Sequence, residues 1–387
     1  MTVHLIVKRI TFCALVFSLC SHLVSAQQPD TAIGDRWQKY IDLKRYSKFF
    51  WKTDTIFDET AQAVNDNGAV SVKLLFKARE ILSVKTANYG KEFLRGKDWD
   101  LKDGRLIILP SSSIPFIRKE DLVFKTYKPG LSMTGKTEGT FVLFTEKPYF
   151  SALQIAVTYV KEKSEKWKGY KPGFSGSGLV GTYGRLKSKL PLKIVFYGNS
   201  IEAGYNTSDH MGTAPYMPSW PELIVYNLRQ YYGNNITYSN QAVAGKLASW
   251  GLEEVSAKVI PEKPDLVIIG FGMNDGAANV TRDKYRQDIE GIVKKVTKEN
   301  PATEFVLIAP MLPNPDAVQN GIQASYRDEL YKLAGRGIVV ADMTSVHSEL
   351  LKHKLYQDMT GNNVNHPNDY LARWYAQVIL RFLVKKI

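Results

Sequence analysis

The chain has 387 residues, of which 44% are hydrophobic and 23% charged, and its formal charge is +13. This length and composition are typical of a globular protein that buries a core without disulfides or metals. No zinc finger, recognition helix or RNP-like run occurs, which argues against nucleic acid as a partner. The positive charge would suit an acidic glycan or a membrane surface, but basic clusters such as residues 161–171 also contain Glu162 and Glu165, as solvated faces do.

The first 26 residues have the pattern of a secretory signal. Lys8 and Arg9 form a short positive patch, and residues 10–19 form an apolar run that is too short to span a bilayer stably. The small residues at positions 24–26 then suit a signal peptidase. We therefore expect residues 1–26 to be removed, and the mature protein to be periplasmic or extracellular.

Both cysteines, Cys13 and Cys20, fall inside this signal. The mature chain would therefore contain no disulfide, no thiol nucleophile and no cysteine-based metal site. A lipoprotein anchor at Cys20 is the competing interpretation, but Leu19 stands where such an anchor requires a small residue. No later segment approaches the roughly 20 apolar residues of a membrane helix, so no stable membrane span is expected.

Short alternating apolar runs follow the signal, at residues 70–76, 105–109, 140–144 and 153–160. Turn-forming residues separate these runs, and little of the stretch has a helical period. This pattern favours an all-β sandwich or jelly-roll domain over residues 27–160. Residues 161–191 are rich in Gly, Ser, Lys and Tyr, which indicates a linker.

Buried strands alternate with helices from residue 192 to the end. Strands are predicted at residues 193–197, 236–240, 265–270, 304–309 and 337–341. Helices are predicted at residues 220–232, 246–258, 282–300, 317–333, 346–354 and 368–384. The strand runs are apolar without alternation, as in a parallel sheet covered on both faces. We therefore predict a doubly wound, flavodoxin-like α/β domain over residues 192–387, with its ligand beyond the carboxyl ends of the strands.

Chemically useful residues follow three of these strands and precede the last helix. The first strand runs into Gly198-Asn-Ser-Ile, the second into Asn240-Gln-Ala-Val-Ala-Gly, and the third into Gly270-Phe-Gly-Met-Asn-Asp. A late loop contains His366 followed by proline. A serine at the mouth of the sheet is well placed for nucleophilic attack, and the next helix N-terminus favours developing negative charge.

These four ordered blocks resemble the SGNH/GDSL hydrolase superfamily across residues 193–387. The resemblance implies that Ser200 attacks an ester carbonyl and that His366 takes its proton and later passes it to the leaving alcohol. It also implies an oxyanion hole formed by the backbone N–H groups of Ser200 and Gly245 and by the side-chain amide of Asn274. No cofactor and no metal are implied.

The sequence departs from the family pattern at two positions. Asn199 replaces the usual Asp of the first block, where its size and its acceptor oxygen can still brace the turn. The triad acid usually lies three residues before the histidine, and that position is Asn363. Three alternatives stay open: Asp358 acts as the acid, a backbone carbonyl completes a Ser-His dyad, or Asn363 orients the imidazole directly.

The remaining candidates are possible substrate contacts. His210, in the loop after Ser200, could touch the substrate, and Trp220 and Trp250 could stack on a sugar or pack in the core. His347 and His353 lie on a predicted amphipathic helix, where a packing or surface role is expected.

A β-sandwich before an SGNH domain resembles bacterial carbohydrate esterases, so an acylated glycan is the predicted substrate and deacetylation the predicted reaction. The sequence also allows two alternatives. A lipase or lysophospholipase would need an exposed apolar loop beside the site, and the polar stretch at residues 206–209 argues against one. A glycan-binding protein with an inactive esterase domain would explain Asn363, but not the other intact motif residues.

Overall fold

The computed structural model describes residues 33–385. The predicted export signal, and the alternative anchor at Cys20, therefore lie outside the described residues. Within the described range, no helix is long and apolar enough to cross a membrane.

The first half of the described chain is β-rich. Its strands are β1 (Thr55–Gln62), β2 (Val64–Asp66), β3 (Ala69–Ser71), β4 (Ala78–Thr86), β5 (Trp99–Lys102), β6 (Arg105–Ile108), β7 (Ile117–Arg118), β8 (Val123–Phe124), β9 (Ser132–Thr134), β10 (Phe141–Leu143) and β11 (Gln154–Lys161). Two one-turn helices accompany them, α1 (Leu43–Tyr46) and α2 (Phe150–Leu153). The strands form small antiparallel or mixed sheets in the orders β1-β11-β4, β8-β10-β9, β3-β2-β7 and β5-β6.

The second half alternates strands and helices. The strands are β12 (Leu192–Gly198), β13 (Ile236–Asn240), β14 (Leu266–Gly270), β15 (Glu304–Ala309) and β16 (Ile338–Asp342). The helices are α3 (Val180–Lys187), α4 (Trp220–Tyr232), α5 (Ala248–Lys258), α6 (Met273–Ala277), α7 (Arg282–Glu299), α8 (Tyr326–Tyr331), α9 (Met343–Leu350) and α10 (Asp369–Leu383). Short 3-10 helices lie at Arg36–Lys39, Lys119–Asp121, Ile260–Glu262, Gln323–Ser325 and Tyr356–Asp358.

The five strands of the second half form one parallel sheet in the order β13-β12-β14-β15-β16. This order is that of a flavodoxin-like doubly wound fold, so the predicted fold class is confirmed, together with a β-rich N-terminal region. The chain moves to one side after β12 and to the other side from β14 onward. A crevice therefore opens at the carboxyl ends of β12 and β14, the position where such sheets bind ligands.

Local sequence explains why most of these elements form where they were predicted. Helix α4, for example, begins after Ser219, whose backbone N–H donates to the Glu222 carboxylate at 2.9 Å, and Pro221 lies in its first turn. The helix predicted at residues 317–333 is wrong in its first part. Val318 instead donates its backbone N–H to the carbonyl of Thr134 at 3.0 Å, because this segment runs beside the edge of β9.

The core crosses the predicted domain boundaries. One buried cluster contains side chains of the β-rich region together with those of α4 and α10 on one face of the parallel sheet, whereas a second cluster joins α5 and α7 to the other face. Helix α3 also falls inside the predicted linker, where the Glu304 carboxylate accepts from the backbone N–H groups of Gly181 and Thr182. The division at residues 160 and 192 stays a prediction.

The loop before α10 is held against the β-rich region by buried hydrogen bonds. Gln154 donates its side-chain N–H to the carbonyls of Gln357 and Thr360, each at 2.7 Å. The hydroxyl of Thr60 donates to the carbonyl of Asp358 at 2.6 Å. The loop that carries His366 is therefore positioned by strands of the other half of the chain.

Candidate active site

Ser200 lies in a tight turn directly after β12, at the crevice. The side-chain oxygen of Asn199 accepts from the backbone N–H of Ile201 at 3.0 Å, and its amide donates to the carbonyl of Gly270 at 3.3 Å. Asn199 thus connects the turn that contains Ser200 to the end of β14. Ser200 is buried in this turn, and 6% of the residue is exposed.

His366 contacts Ser200 directly. Its Nε2 lies 2.8 Å from the Ser200 hydroxyl, within the distance at which a base can take the hydroxyl proton. The loop around His366 is braced by Asn362, whose side-chain oxygen accepts from the backbone N–H groups of Val364, Asn365 and His366 at 3.0–3.1 Å. These three donors also fix the direction in which the Asn362 amide nitrogen points.

The second imidazole nitrogen, Nδ1, faces three side chains. When Nε2 accepts from Ser200, Nδ1 carries the imidazole hydrogen and donates it to the side-chain oxygen of Asn206 at 2.5 Å. The Asn362 amide nitrogen lies 3.0 Å from Nδ1, and an oxygen of Glu146 lies 3.4 Å from it. Neither Asn206 nor Glu146 was a sequence-based candidate.

The two side chains proposed to serve the histidine from its own loop are engaged elsewhere. Asp358 is fully buried and accepts from the backbone N–H groups of Gln62 at 2.6 Å and Leu355 at 2.7 Å. Burial raises the pKa of its carboxyl to about 6, although the Lys354 ammonium and these two N–H donors act in the opposite direction. Asp358 therefore joins the His366 loop to β1 and does not contact the imidazole.

Asn363 also points away from His366. Its amide donates to the carbonyl of Leu143 in β10 at 2.8 Å, and its side-chain oxygen accepts from Asn314 and Gln357. Both ends of the side chain are thus used to attach the loop to its neighbours. The direct partner role considered for Asn363 is not what the structure shows, and a backbone carbonyl is not what faces Nδ1.

The residues predicted for the oxyanion hole lie on the two loops next to the serine turn. Gly245 has φ +77°, and open space surrounds the position a side chain would occupy. Asn274 lies in α6, and its side-chain amide donates to the carbonyl of Lys246 at 3.1 Å, which connects the two loops. An amide has two hydrogens, so Asn274 keeps one to offer to an oxyanion.

Asp275 holds the same two loops together through hydrogen bonds to their backbone. Its carboxylate accepts from the backbone N–H groups of Ala248 at 2.8 Å and Gly272 at 3.0 Å, and it is fully buried. Burial raises the pKa of Asp275 to about 6. Its contacts are those of a carboxylate that caps the backbone N–H groups of these loops.

Two of the three predicted substrate contacts, Trp220 and Trp250, pack in or against the core clusters. Trp220 is fully buried between Phe196 and Tyr375, and its indole N–H donates to the carbonyl of Ile201, so it supports the serine turn from inside the core. Of the two alternatives for Trp220, the structure shows packing in the core. Trp250 is half-buried and packs its ring against Tyr197 in the second core cluster.

His210 is the predicted substrate contact that lies near Ser200 and His366. Its ring stacks on Tyr205 with centroids 4.3 Å apart, and the Tyr205 ring meets the His366 ring edge-on at 5.7 Å. Partial burial, together with the nearby His366, lowers the pKa of His210. His347 instead is fully buried and accepts from the backbone N–H of Leu312, while His353 is exposed beside Glu349.

Comparison with known proteins agrees with this geometry. Residues 196–373 match the model of the GDSL-like lipase/acylhydrolase family. A Vibrio mimicus protein named arylesterase is 24% identical over 205 residues, which cover 52% of this chain and 92% of that protein.

Two solved structures also share similarity with the chain. One is a two-domain esterase active on acetylated mannans, with 21% identity, a TM-score of 0.42, and coverage of 56% of this chain; the chain spans 55% of the length of that esterase. The other is an acetylxylan esterase from Geobacillus stearothermophilus, with 20% identity, a TM-score of 0.41, and coverage of 50% of this chain and 94% of that protein. Residues 196–373 thus resemble the GDSL-like lipase/acylhydrolase family, and the SGNH-type resemblance that the four motif blocks carried is confirmed.

Proposed function

We propose that the protein is an exported serine esterase that removes acetyl groups from a glycan. The observation that carries the esterase part is the 2.8 Å contact between the Ser200 hydroxyl and His366 Nε2, at the crevice between β12 and β14. The match to the acylhydrolase family and the likeness to an arylesterase support the same chemistry. Export rests on the signal pattern of residues 1–26.

The proposed reaction has two halves. Ser200 attacks the ester carbonyl while His366 takes its proton, and the resulting oxyanion receives hydrogen bonds from the backbone N–H groups of Ser200 and Gly245 and from the Asn274 amide. His366 then gives the proton to the leaving alcohol, which releases the deacetylated sugar hydroxyl. Water repeats the sequence on the acyl-enzyme, with His366 again as base, and releases acetate.

The surroundings of the site favour a small acyl group on a polar substrate. The stacked rings of Tyr205 and His210 occupy the space beside His366. Within residues 33–385, the large apolar side chains that are exposed lie outside the loops at 199–219, 241–248, 271–275 and 360–368. A lipase would be expected to expose such side chains there in order to bind long acyl chains or a lipid surface.

The test compares wild type with Ser200→Ala on p-nitrophenyl esters of increasing acyl length and on acetylated xylan. We expect Ser200-dependent release of acetate, with kcat/KM falling as the acyl chain lengthens beyond about four carbons. If the fastest substrates are long-chain esters, the acetyl proposal is wrong. If wild type and Ser200→Ala release acid equally slowly from every ester while the protein still binds the glycan, the inactive-domain alternative is correct.

A further inference from the structure

The catalytic histidine needs a compensating negative charge that its own loop does not supply. In the transition state the imidazole has taken the serine proton and carries a positive charge, which a triad carboxylate normally stabilises. Here the position of that carboxylate is occupied by Asn363, which is bonded to Leu143 and faces away, and Asp358 is bonded to backbone N–H groups. The acceptor that touches Nδ1, the Asn206 side chain, is neutral.

We propose that Glu146, which belongs to the β-rich N-terminal region, supplies this charge and acts as the positioning carboxylate for His366. The proposal rests on the esterase function proposed above. Asn206 then orients the neutral imidazole through its 2.5 Å hydrogen bond, and Glu146 stabilises the imidazolium that forms during turnover. The two tasks of a triad acid are divided between an amide and a carboxylate from different parts of the chain.

The contacts of Glu146 are those of an anchored group. One carboxylate oxygen lies 3.4 Å from His366 Nδ1, and the other accepts from the Asn362 amide at 3.2 Å. The orientation of that amide is set by the three backbone N–H groups bound to the Asn362 oxygen, so its hydrogen is directed at the carboxylate. The Asn362 amide therefore holds the carboxylate beside the imidazole.

The strand that delivers Glu146 is itself attached to the histidine loop. Glu146 lies three residues after the end of β10, where the carbonyl of Leu143 accepts the Asn363 amide. Val142, the middle residue of β10, packs against Val364 in a small buried cluster. The residue that replaces the family's acid thus binds the strand that brings in a substitute carboxylate.

The charges around the pair are consistent with an ionised Glu146. Partial burial opposes ionisation, but the hydrogen bond and charge of His366 and the amides of Asn362 and Asn206 outweigh it and lower the pKa of the carboxyl. His210, on the loop after Ser200, lies near both His366 and Glu146. Asp209 lies near His210 and is paired with Arg36 at 2.7 Å. The Glu146 side chain is 49% exposed, so solvent screens part of its effect.

The test uses the full chain with Glu146→Gln, which keeps the size and removes the charge, and Glu146→Asp, which keeps the charge and shortens the reach. Glu138→Gln, in the exposed turn between β9 and β10, is the control for loss of a carboxylate from the same region. We expect kcat on p-nitrophenyl acetate to fall about 10- to 10²-fold in Glu146→Gln with little change in KM. This loss is smaller than the ~10⁴-fold effect of a buried triad carboxylate. Glu146→Asp should retain more activity than Glu146→Gln, and Glu138→Gln should match wild type.

Two readouts separate a charge effect from a loss of structure. The acidic limb of the kcat/KM profile should move to lower pH in Glu146→Gln, because the protonated imidazole loses its stabilising anion. An NMR titration of His366 should show its midpoint moving in the same direction, and this measurement does not depend on turnover. Equal titration midpoints in wild type and Glu146→Gln would overturn the proposal. A chain that shows the titration shift but no Ser200-dependent hydrolysis would instead refute the proposed function.

Discussion

A buried ion pair joins the two halves of the chain near the site. Lys354, in the turn after α9, donates from Nζ to the Glu59 carboxylate in β1 at 2.6 Å, and both side chains are fully buried. Lys354 also donates to the carbonyl of Lys73 at 3.3 Å. The Glu59 carboxylate is completed by the backbone N–H of Leu75 at 2.6 Å and by the Tyr159 hydroxyl at 2.7 Å.

The change Lys354→Met removes the charge and keeps the length of the side chain. It leaves the Glu59 carboxylate buried with two neutral donors and no cation bonded to it, and breaking a buried pair in this way costs about 3–5 kcal/mol of folding free energy. Lys352→Met is the matched control. That lysine pairs with Glu349 at 2.6 Å, but its side chain is 68% exposed, so its loss should cost about 0–1 kcal/mol.

The assay is urea unfolding followed by tryptophan fluorescence, with the free energy of unfolding taken from midpoint and slope. The double variant Lys354→Met/Glu59→Gln should recover part of the loss, because the charge left without its cation is then also removed. If Lys354→Met costs no more than Lys352→Met, the pair does not stabilise the contact between the halves. The wild-type chain should also unfold in one transition, since its largest core cluster is shared by both halves.

Three further changes follow from the turn around the nucleophile. Asn274→Ala should lower kcat on p-nitrophenyl acetate by about 10²- to 10³-fold with a small change in KM, and a loss below fivefold would remove Asn274 from the oxyanion hole. Gly270→Ala should destabilise the fold by about 1–3 kcal/mol, because its Cβ would overlap the buried Glu202 carboxylate. Gly184→Ala, in open space on α3, should be neutral or stabilising, and equal melting temperatures of the two variants would contradict this. Burial raises the pKa of Glu202 to about 8, although the hydrogen bond from the backbone N–H of Asn199 acts in the opposite direction. The folded chain therefore keeps a proton on Glu202 that the unfolded chain loses above about pH 4.3. Because the folded state then binds more protons than the unfolded state, the free energy of unfolding falls as the pH rises toward 8. Glu202→Gln should therefore gain stability over wild type between pH 5 and pH 8 in urea unfolding, and a constant difference would refute the assignment.

Much of the parallel sheet could be predicted because its signals are local. A strand buried on both faces has an apolar run that ends where the sheet ends. Strands β13 and β15 were predicted to the residue, β14 differs by one residue at its start, and β12 and β16 differ by one residue at each end. The same locality places Ser200, Gly245 and Asn274, since each lies within five residues after the end of one of these strands. The segment at residues 317–322 could not be assigned in this way, because its backbone is bound by the edge of β9, which is distant in the sequence.

The partners of His366 could not be predicted for a related reason. Asp358 is a carboxylate in the loop that carries His366, but it accepts from the backbone N–H groups of Gln62 in β1 and of Leu355. Without this carboxylate, these buried N–H groups would have no hydrogen-bond acceptor, which costs folding free energy. Asn206 has φ +62°, a left-handed conformation that asparagine tolerates well, and only this turn of the loop brings its side chain to the imidazole. The single sequence signal available was the absence of an acid at Asn363.

The absence of an acid at position 363 can be explained by the β-rich region, which places Glu146 beside His366. A hydrolase domain that supplies its own triad acid needs no second region to place a carboxylate beside its histidine. In this chain the Asn363 side chain is instead hydrogen-bonded to Leu143, and the carboxylate nearest to His366 Nδ1 belongs to Glu146, on the segment after β10. Separation of β10 from the His366 loop would remove that carboxylate from the imidazole while leaving the contact between Ser200 and His366 possible. A change that weakens this interface without unfolding the parallel sheet should therefore reduce turnover through the charge at His366, and the Glu146 variants measure how large that contribution is.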